Sequence, residues 1–301
     1  MIAQSAMPTL SLWELRRQAC SALKAAGIEN PAQETDWLLV HALGVSLDAL
    51  LLEGDREVSS LDVERAWSLI SRRAAREPLQ YLLGTQEFRG LDLVVTPAVL
   101  IPRPETECLV EETLLAVTGL RQPFIADVGT GSGCIAVSIL RECPTATVYA
   151  SDISAKALAI VQGNADRHGV SLRLRLIQAD LLGAFSASGG GPFDVIVSNP
   201  PYIPAAELER LQPEVSRYEP RLALAAGPDG LAFHRRLLEE APPLLKPGGF
   251  LVLELGAGQA ETVLRMARRV DDFDLVECRN DAAGIERVLV ACRAERLKVV
   301  L

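Results

Sequence analysis

The four residues Asn199-Pro200-Pro201-Tyr202 combine side chains suited to alkylating a planar nitrogen. An amide or exocyclic amine nitrogen is a poor nucleophile because its lone pair is delocalised. A protein can help by accepting both N–H hydrogens and leaving the lone pair aimed at an electrophile. The Asn199 side-chain carbonyl is one such acceptor. The Pro200 carbonyl is a second; its direction is set by two locked φ angles, and Pro201 has no N–H to compete beside it. Tyr202 offers a flat face on which a planar group can stack. No general base is required before attack, since the proton can leave from the cationic product. An ordinary turn is the alternative reading, because Asn and Pro are common turn residues.

A second constellation is Asp127-Val128-Gly129-Thr130-Gly131-Ser132-Gly133-Cys134. Glycines let a backbone take positive φ and approach a ligand without a Cβ in the way. The dinucleotide fingerprint is G-x-G-x-x-G. Here the third glycine comes one residue early, at Gly133, so a pyrophosphate cradle is the weaker reading. A G-x-G-x-G turn preceded by an acid suits S-adenosylmethionine, whose ammonium Asp127 could attract directly or through water. Asp152 falls at the end of the next predicted strand, where an acid accepts from both ribose hydroxyls; the alternative is a helix N-cap. Asp180 and Leu181 end the third strand. There Asp180 could accept from an adenine amine and Leu181 could pack on the ring, or Asp180 is only a turn residue.

These loops need strand ends to carry them. Phe193 to Ser198 is apolar and β-branched, as a buried strand should be, and the prolines stop it. From about residue 123 strands and helices alternate, which predicts a mostly parallel sheet covered on both faces. The strands are read at 124–128, 147–150, 172–177, 194–198, 250–255, 274–278 and 287–291. The helices are read at 134–142, 155–168, 230–245 and 259–270. Asn199 then sits at the carboxyl end of a central strand, where open α/β sheets bind ligands. Upstream, residues 11–84 read as helices only, starting near Ser11, Pro31, Leu47 and Ser60. Arg72, Arg73 and Arg76 read as a solvated basic face. Residues 88–95 suggest a β-hairpin turning near Gly90, and Pro102-Arg103-Pro104 a stiff elbow before a helix beginning at Pro104. The expected division is a helical bundle for substrate recognition at 1–84, a hairpin and elbow linker at 85–104, and a catalytic α/β domain at 105–301.

The whole chain has 301 residues, 49% hydrophobic and 23% charged, with net charge −9. That suits a globular protein with a substantial core and weighs against nucleic acid as the main partner, which needs a basic face. Cys20, Cys108, Cys134, Cys143, Cys278 and Cys292 include no C-x-x-C pair and read as reduced thiols. His41, His168 and His234 show no metal spacing, so no metal is expected. No apolar run approaches a membrane span and no secretion signal is legible at the start, which gives the expectation of a cytoplasmic protein. Gly189-Gly190-Gly191 reads as a short loop.

With both loops in view, the chain resembles the peptide chain release factor glutamine N5-methyltransferases (HemK/PrmC type), class I S-adenosylmethionine enzymes with an N-terminal helical domain. The resemblance covers nearly the whole length. It is carried by Pro78-Leu79-Gln80-Tyr81, Ile101 through Glu107, Asp127 through Cys134, Ser198 through Ile203, and Tyr218 through Leu224. The first two and the last are more specific than the glycine loop.

The resemblance implies a Rossmann-like seven-stranded sheet and a substrate, the glutamine of the Gly-Gly-Gln loop in class 1 release factors. It implies S-adenosylmethionine as methyl donor and S-adenosylhomocysteine as product, held by Asp127, Gly129, Thr130, Gly131, Ser132, Gly133, Asp152, Asp180, Leu181 and Asn199. The glutamine amide would lie on Asn199, Pro200, Pro201 and Tyr202, with Asn199, Pro200 and Tyr202 catalytic. A monomer is expected. Leu181 departs from members that carry an aromatic over the adenine, and Ala225-Ala226-Gly227 from relatives that read an acid and a glycine. The alternatives are a ribosomal-protein glutamine methyltransferase, an adenine-N6 methyltransferase of DNA or RNA, and a non-catalytic cofactor-binding module.

Overall fold

The structure is a computed structural model and describes residues 10–185 and 191–295; most of the predicted Gly189–Gly191 loop lies outside the described residues. The chain falls into two compact units. One comprises the described residues up to Gly84 together with Gln212–Tyr218; the other comprises Thr85–Leu211 and the described residues from Glu219 onward.

In the helical unit, α1 (Leu12–Ala25), α2 (Pro31–Leu43), α3 (Leu47–Leu52) and α4 (Ser60–Ala74) begin where the sequence signals them, and α5 (Leu79–Leu83) is a further short helix that the sequence reading did not give. Ser11 and Glu14 form a capping box on α1, and Ser46 and Ser59 cap α3 and α4. Each cap satisfies amides that an isolated helix end leaves open. Leu15, Leu39 and Ala66 lie in one apolar cluster, and Leu23, Leu38 and Ile70 in another. The expectation of helices alone is corrected in one respect: β1 (Leu10–Ser11) pairs with β2 (Glu57–Val58).

Of the basic face read at Arg72, Arg73 and Arg76, only Arg72 is exposed as expected. Arg73 is buried and pairs with Glu34 at 2.5 Å and Glu214 at 2.9 Å, and Arg76 also pairs with Glu214. Glu214 belongs to α9 (Pro213–Tyr218), a short helix that no sequence pattern announces. Its carboxyl is held below the usual range by the two guanidiniums, against the opposing effect of burial.

The second unit opens with a hairpin, β3 (Thr85–Phe88) and β4 (Leu91–Val94), turning at Arg89-Gly90. Pro104 opens a 3-10 turn, and α6 (Glu107–Ala116) starts after it, three residues later than read. A seven-stranded sheet follows, built from β5 (Phe124–Val128), β6 (Thr147–Asp152), β7 (Leu174–Gln178), β8 (Phe193–Ser198), β9 (Leu245–Glu254), β10 (Phe273–Asn280) and β11 (Glu286–Arg293). Its order is β10-β11-β9-β8-β5-β6-β7. β5 to β9 pair in parallel and β11 runs antiparallel between β9 and β10.

Side chains alternate across this sheet, as strand geometry requires. Ile125, Val195, Val197 and Val252 join the core under α6, α7 (Cys134–Glu142) and α8 (Ala155–Arg167). Ala126, Ile196, Leu251 and Leu253 join the core under α10 (Ala232–Glu240) and α11 (Ala260–Ala267). The class I methyltransferase fold expected from the sequence is therefore present. α10 stops at Glu240, short of the predicted Leu245, because Pro242 and Pro243 cannot continue a helix. β9 begins five residues earlier than predicted. A register shift against β8 absorbs Pro247-Gly248-Gly249, and at Gly249 a Cβ would meet the carbonyl oxygens of Lys246, Asp194 and Phe193 at 2.9–3.1 Å.

Candidate active site

β5 has β6 on one side and β8 on the other, so chain connections leave it in opposite directions. This reversal opens a crevice at the carboxyl ends of the strands. The glycine loop leaves β5 here, Asp152 ends β6 and Asn199 follows β8. Ser198 Oγ donates to the Val128 carbonyl at 2.6 Å, tying the ends of β8 and β5 together.

The glycine loop is fastened to β6. The N–H groups of Gly129 and Thr130 both donate to the Ser151 carbonyl, at 2.8 and 2.9 Å. Gly131 N–H donates to Asp152 Oδ2 at 3.0 Å, and Ser154 N–H to Oδ1 at 2.8 Å. The Asp152 carboxylate is thus held rigid, while Ser154 is the residue that caps α8. Gly129, Gly131 and Gly133 all have positive φ. Beside Gly129 an added Cβ would meet open space, whereas at Gly133 it would lie 2.8 Å from Val161 Cγ1. Gly133 therefore serves the packing of the α7 start against α8.

A cavity of about 390 Å³ lies over these strand ends. Of the sequence-predicted residues, Gly129, Thr130, Gly131, Ser132, Asp152, Asp180, Leu181, Asn199 and Pro201 line it. Asp127, Gly133, Pro200 and Tyr202 are not among its lining. Asp127 is fully buried: Oδ2 accepts the Thr130 hydroxyl at 2.6 Å and Oδ1 has no partner. Burial pushes its carboxyl up to about 7. Asp180 takes an ion pair from Arg236 at 2.9 Å, so its carboxylate already has a cation beside it.

The Asn199 side chain is oriented by Thr106, whose hydroxyl accepts from Nδ2 at 3.2 Å. The Oδ1 atom is left as an acceptor. Tyr202 is fixed from several sides. Its carbonyl accepts from Gln259 Nε2 at 2.9 Å. A Cβ at Gly230 would lie 2.5 Å from that carbonyl, and one at Gly256 would lie 3.1 Å from Tyr202 Cδ2. Burial pushes its phenol up to about 12, so it stays neutral across the working range.

Several cavity residues carried no assigned role in the sequence: Arg103, Thr106, Leu222, Ala223, Phe233 and Arg236. Arg103 pairs with the buried Glu219 at 2.5 Å, so the Pro102–Glu107 elbow and the Tyr218–Leu224 stretch meet across the crevice. Both stretches were legible as motifs, but the contact joining them was not. Glu254 is the other omission. It ends β9, is buried, and burial pushes its carboxyl up to about 7. An acid closing an otherwise apolar strand was the available signal. Among the described residues, no group of three or more His, Cys, Asp and Glu could hold a metal ion, and no helix is long and apolar enough to cross a membrane.

Comparison with known proteins agrees with this architecture. Residues 14–84 match the family model of the PrmC N-terminal domain, and residues 106–211 that of the methyltransferase small domain. A solved structure of the catalytic domain of hMettl16, in complex with the MAT2A 3'UTR hairpin 1, superposes with TM-score 0.57 at 15% identity, over 83% of this chain and 86% of its own, a likeness of fold alone. Release factor glutamine methyltransferase of Geobacter sulfurreducens is 49% identical over 270 residues, 89% of this chain and 91% of its own. That of Moorella thermoacetica is 44% identical over 286 residues, 95% of this chain and all of its own. Near-complete coverage at such identity leaves one conclusion: the chain belongs to the release factor glutamine methyltransferase family.

Proposed function

We propose that this protein transfers a methyl group from S-adenosylmethionine to the side-chain amide nitrogen of the glutamine in the Gly-Gly-Gln motif of class 1 peptide chain release factors. The observation that carries the reading is Asn199, whose Nδ2 is spent on Thr106 so that Oδ1 stays an acceptor in a cavity shared with the glycine loop and Asp152.

The residues present fit the cofactor. Asp127 Oδ1 is a buried acceptor without a donor, a place for the ammonium or for a water that carries it. Open space beside Gly129 lets a ligand approach backbone closely. Asp152, held by two N–H groups, keeps lone pairs for ribose hydroxyls. Leu181 and Phe233 bring apolar and aromatic surface to the cavity wall near Asp180, supplying part of what a ring at position 181 would. When bound, S-adenosylmethionine supplies an electrophilic methyl group on a sulfonium sulfur.

The chain's own part is to orient the amide. Asn199 Oδ1 accepts one N–H of the substrate glutamine and the Pro200 carbonyl accepts the other, which fixes the plane of the NH2 group and leaves the nitrogen lone pair aimed at the electrophile. Tyr202 gives the planar amide a face to lie on. These groups are fixed before reaction, so no reorganisation is needed as charge develops on the nitrogen. The helical unit, with its own apolar cores, is assigned to recognition of the protein substrate. Action on release factors would put the enzyme in the cytoplasm, and the reading takes it as a monomer.

The test is to incubate the protein with methyl-labelled S-adenosylmethionine and, separately, release factor, ribosomal protein and nucleic acid. Label on the glutamine of the Gly-Gly-Gln tryptic peptide is the expected outcome. Label on ribosomal protein or nucleic acid alone would replace this reading with one of the alternatives.

A further inference from the structure

The stretch Asn199-Pro200-Pro201-Tyr202 has a mechanical weakness. Pro200 and Pro201 carry no N–H, so the middle of the stretch cannot be tied down by backbone donors of its own. Asn199 is held through its side chain by Thr106. Past the stretch, Ile203 is anchored: its N–H donates to the Leu224 carbonyl at 3.0 Å, and its carbonyl accepts from Ala226 N–H at 2.9 Å. Tyr202 stands between these anchors. Its backbone must be held from outside if the ring and the Pro200 carbonyl are to keep one direction.

The side chain of Gln259, at the start of α11, supplies that hold. Its Nε2 donates to the Tyr202 carbonyl at 2.9 Å and reaches the Gly230 carbonyl at 3.4 Å, while Oε1 accepts from Gly256 N–H at 2.9 Å. One amide thus joins the loop after β8, the turn before α10 and the residues after β9. Its orientation is dictated, because a backbone N–H can only donate and the two carbonyls can only accept. Two glycines make room for it. A Cβ at Gly230 would lie 2.9 Å from Gln259 Nε2, and one at Gly256 would lie 2.9 Å from Oε1. The backbone of Gly256 is not left-handed, so space alone calls for glycine there. Gln259 is not among the residues lining the cavity.

We propose that Gln259 is a positioning residue for methyl transfer. Its side-chain amide clamps the Tyr202 carbonyl to the Gly256 turn, and so holds the Tyr202 ring and the Pro200 carbonyl where the substrate amide meets them. The inference deepens the amide-methylation reading and rests on it. Gln259 acts through the loop and touches neither substrate nor cofactor.

The experiment compares Gln259→Met and Gln259→Glu in the full chain. Methionine keeps the length and removes all three hydrogen bonds. Glutamate has nearly the shape of glutamine, but when ionised it sets an acceptor oxygen against two carbonyls. If the residue only filled space, Gln259→Glu would be the milder change; the clamp gives the reverse order. A misplacement of about 1 Å can cost about 100-fold in rate, so kcat should fall by about 10–100-fold in Gln259→Met and further in Gln259→Glu. The KM for release factor should rise by a smaller factor. Affinity for S-adenosylhomocysteine should stay at its wild-type value, because the clamp lies outside the cavity lining. If Gln259→Met does not fold, Gln259→Glu against wild type decides by the same measurements.

A second readout does not use turnover. Tyr202-Ile203 is the only Tyr-Ile pair in the chain. Labelling tyrosine carbonyls with 13C and isoleucine nitrogens with 15N therefore isolates that one peptide bond. Its carbonyl resonance should move upfield in both variants, the direction expected when a carbonyl loses a hydrogen bond. An unmoved Tyr202 carbonyl would overturn the inference. So would a wild-type kcat in either variant, a Gln259→Glu more active than Gln259→Met, or a loss of rate matched by an equal loss of cofactor affinity. If the wild-type protein methylated no release factor, the proposed function would fail, while the carbonyl signal would still report on the clamp.

Discussion

At the level of single residues, the site mixes groups held rigid with groups held at a cost. Asp127 is the clearest case of the second kind. Its carboxyl is raised by burial from 3.8 to about 7, and one oxygen has no partner. An acid whose folded pKa is raised favours folding below its unfolded pKa and loses that advantage as pH rises through the folded one. Asp127→Asn should therefore stabilise the cofactor-free protein, and the gap to wild type should widen by about 2 kcal/mol between about pH 5.5 and pH 8. Thermal unfolding without cofactor at both pH values checks this, and calorimetry should show weaker S-adenosylmethionine binding in the same variant. Asn199, Asp152 and the glycine loop were legible in the sequence because each sits beside a strand end that the local pattern marks. Thr106 was not, because its importance lies in a contact with Asn199, far away in sequence, which no periodicity encodes.

At the level of elements, the three glycines of the loop look alike in sequence and differ in the fold. Gly133 has a Val161 methyl where its Cβ would go, and Gly129 has open space. Gly133→Ala should destabilise the protein by about 1–3 kcal/mol for overpacking, with α7 and α8 pushed apart, and by a further ~1–2 kcal/mol for its own left-handed backbone. Gly129→Ala should cost about 1–2 kcal/mol for its left-handed backbone and lose cofactor affinity as its main effect. Urea unfolding and calorimetry on the two variants separate these outcomes; equal loss of affinity in both would place Gly133 at the ligand after all. The strand and helix order was readable because apolar runs alternate with amphipathic ones. The limits of β9 and α10 were misread for one reason, the weight given to Pro and Gly. Gly249 permits a bulge that continues the strand, whereas Pro242 and Pro243 end the helix that was run through them.

For the molecule as a whole, the helical unit is assembled from two stretches distant in sequence. Arg73 is 6% exposed and is shared between Glu34 of α2 and Glu214 of α9. Removing one partner of a buried pair leaves charge uncompensated, so Glu214→Ala should destabilise the unit by about 3 kcal/mol. Denaturant unfolding followed by fluorescence of Trp13, Trp37 and Trp67, the chain's three tryptophans, reads that unit selectively. A midpoint equal to wild type would show that Glu34 alone satisfies Arg73. Helices at 11–84 were legible from caps and spacing; the contribution of Gln212–Tyr218 was not, since α9 is too short for a periodic signal. The net charge of −9 fits a protein partner more readily than a nucleic-acid one.

The central claim is that a preformed pair of acceptors orients the glutamine amide, and Asn199→Ala tests it most directly. The measurement is single-turnover methyl transfer to release factor at saturating S-adenosylmethionine, with cofactor affinity measured on the same preparation. Loss of one preorganised polar group should raise the barrier by about 3–4 kcal/mol, slowing transfer by several hundred-fold, while cofactor binding changes little. A wild-type rate in Asn199→Ala would contradict the account.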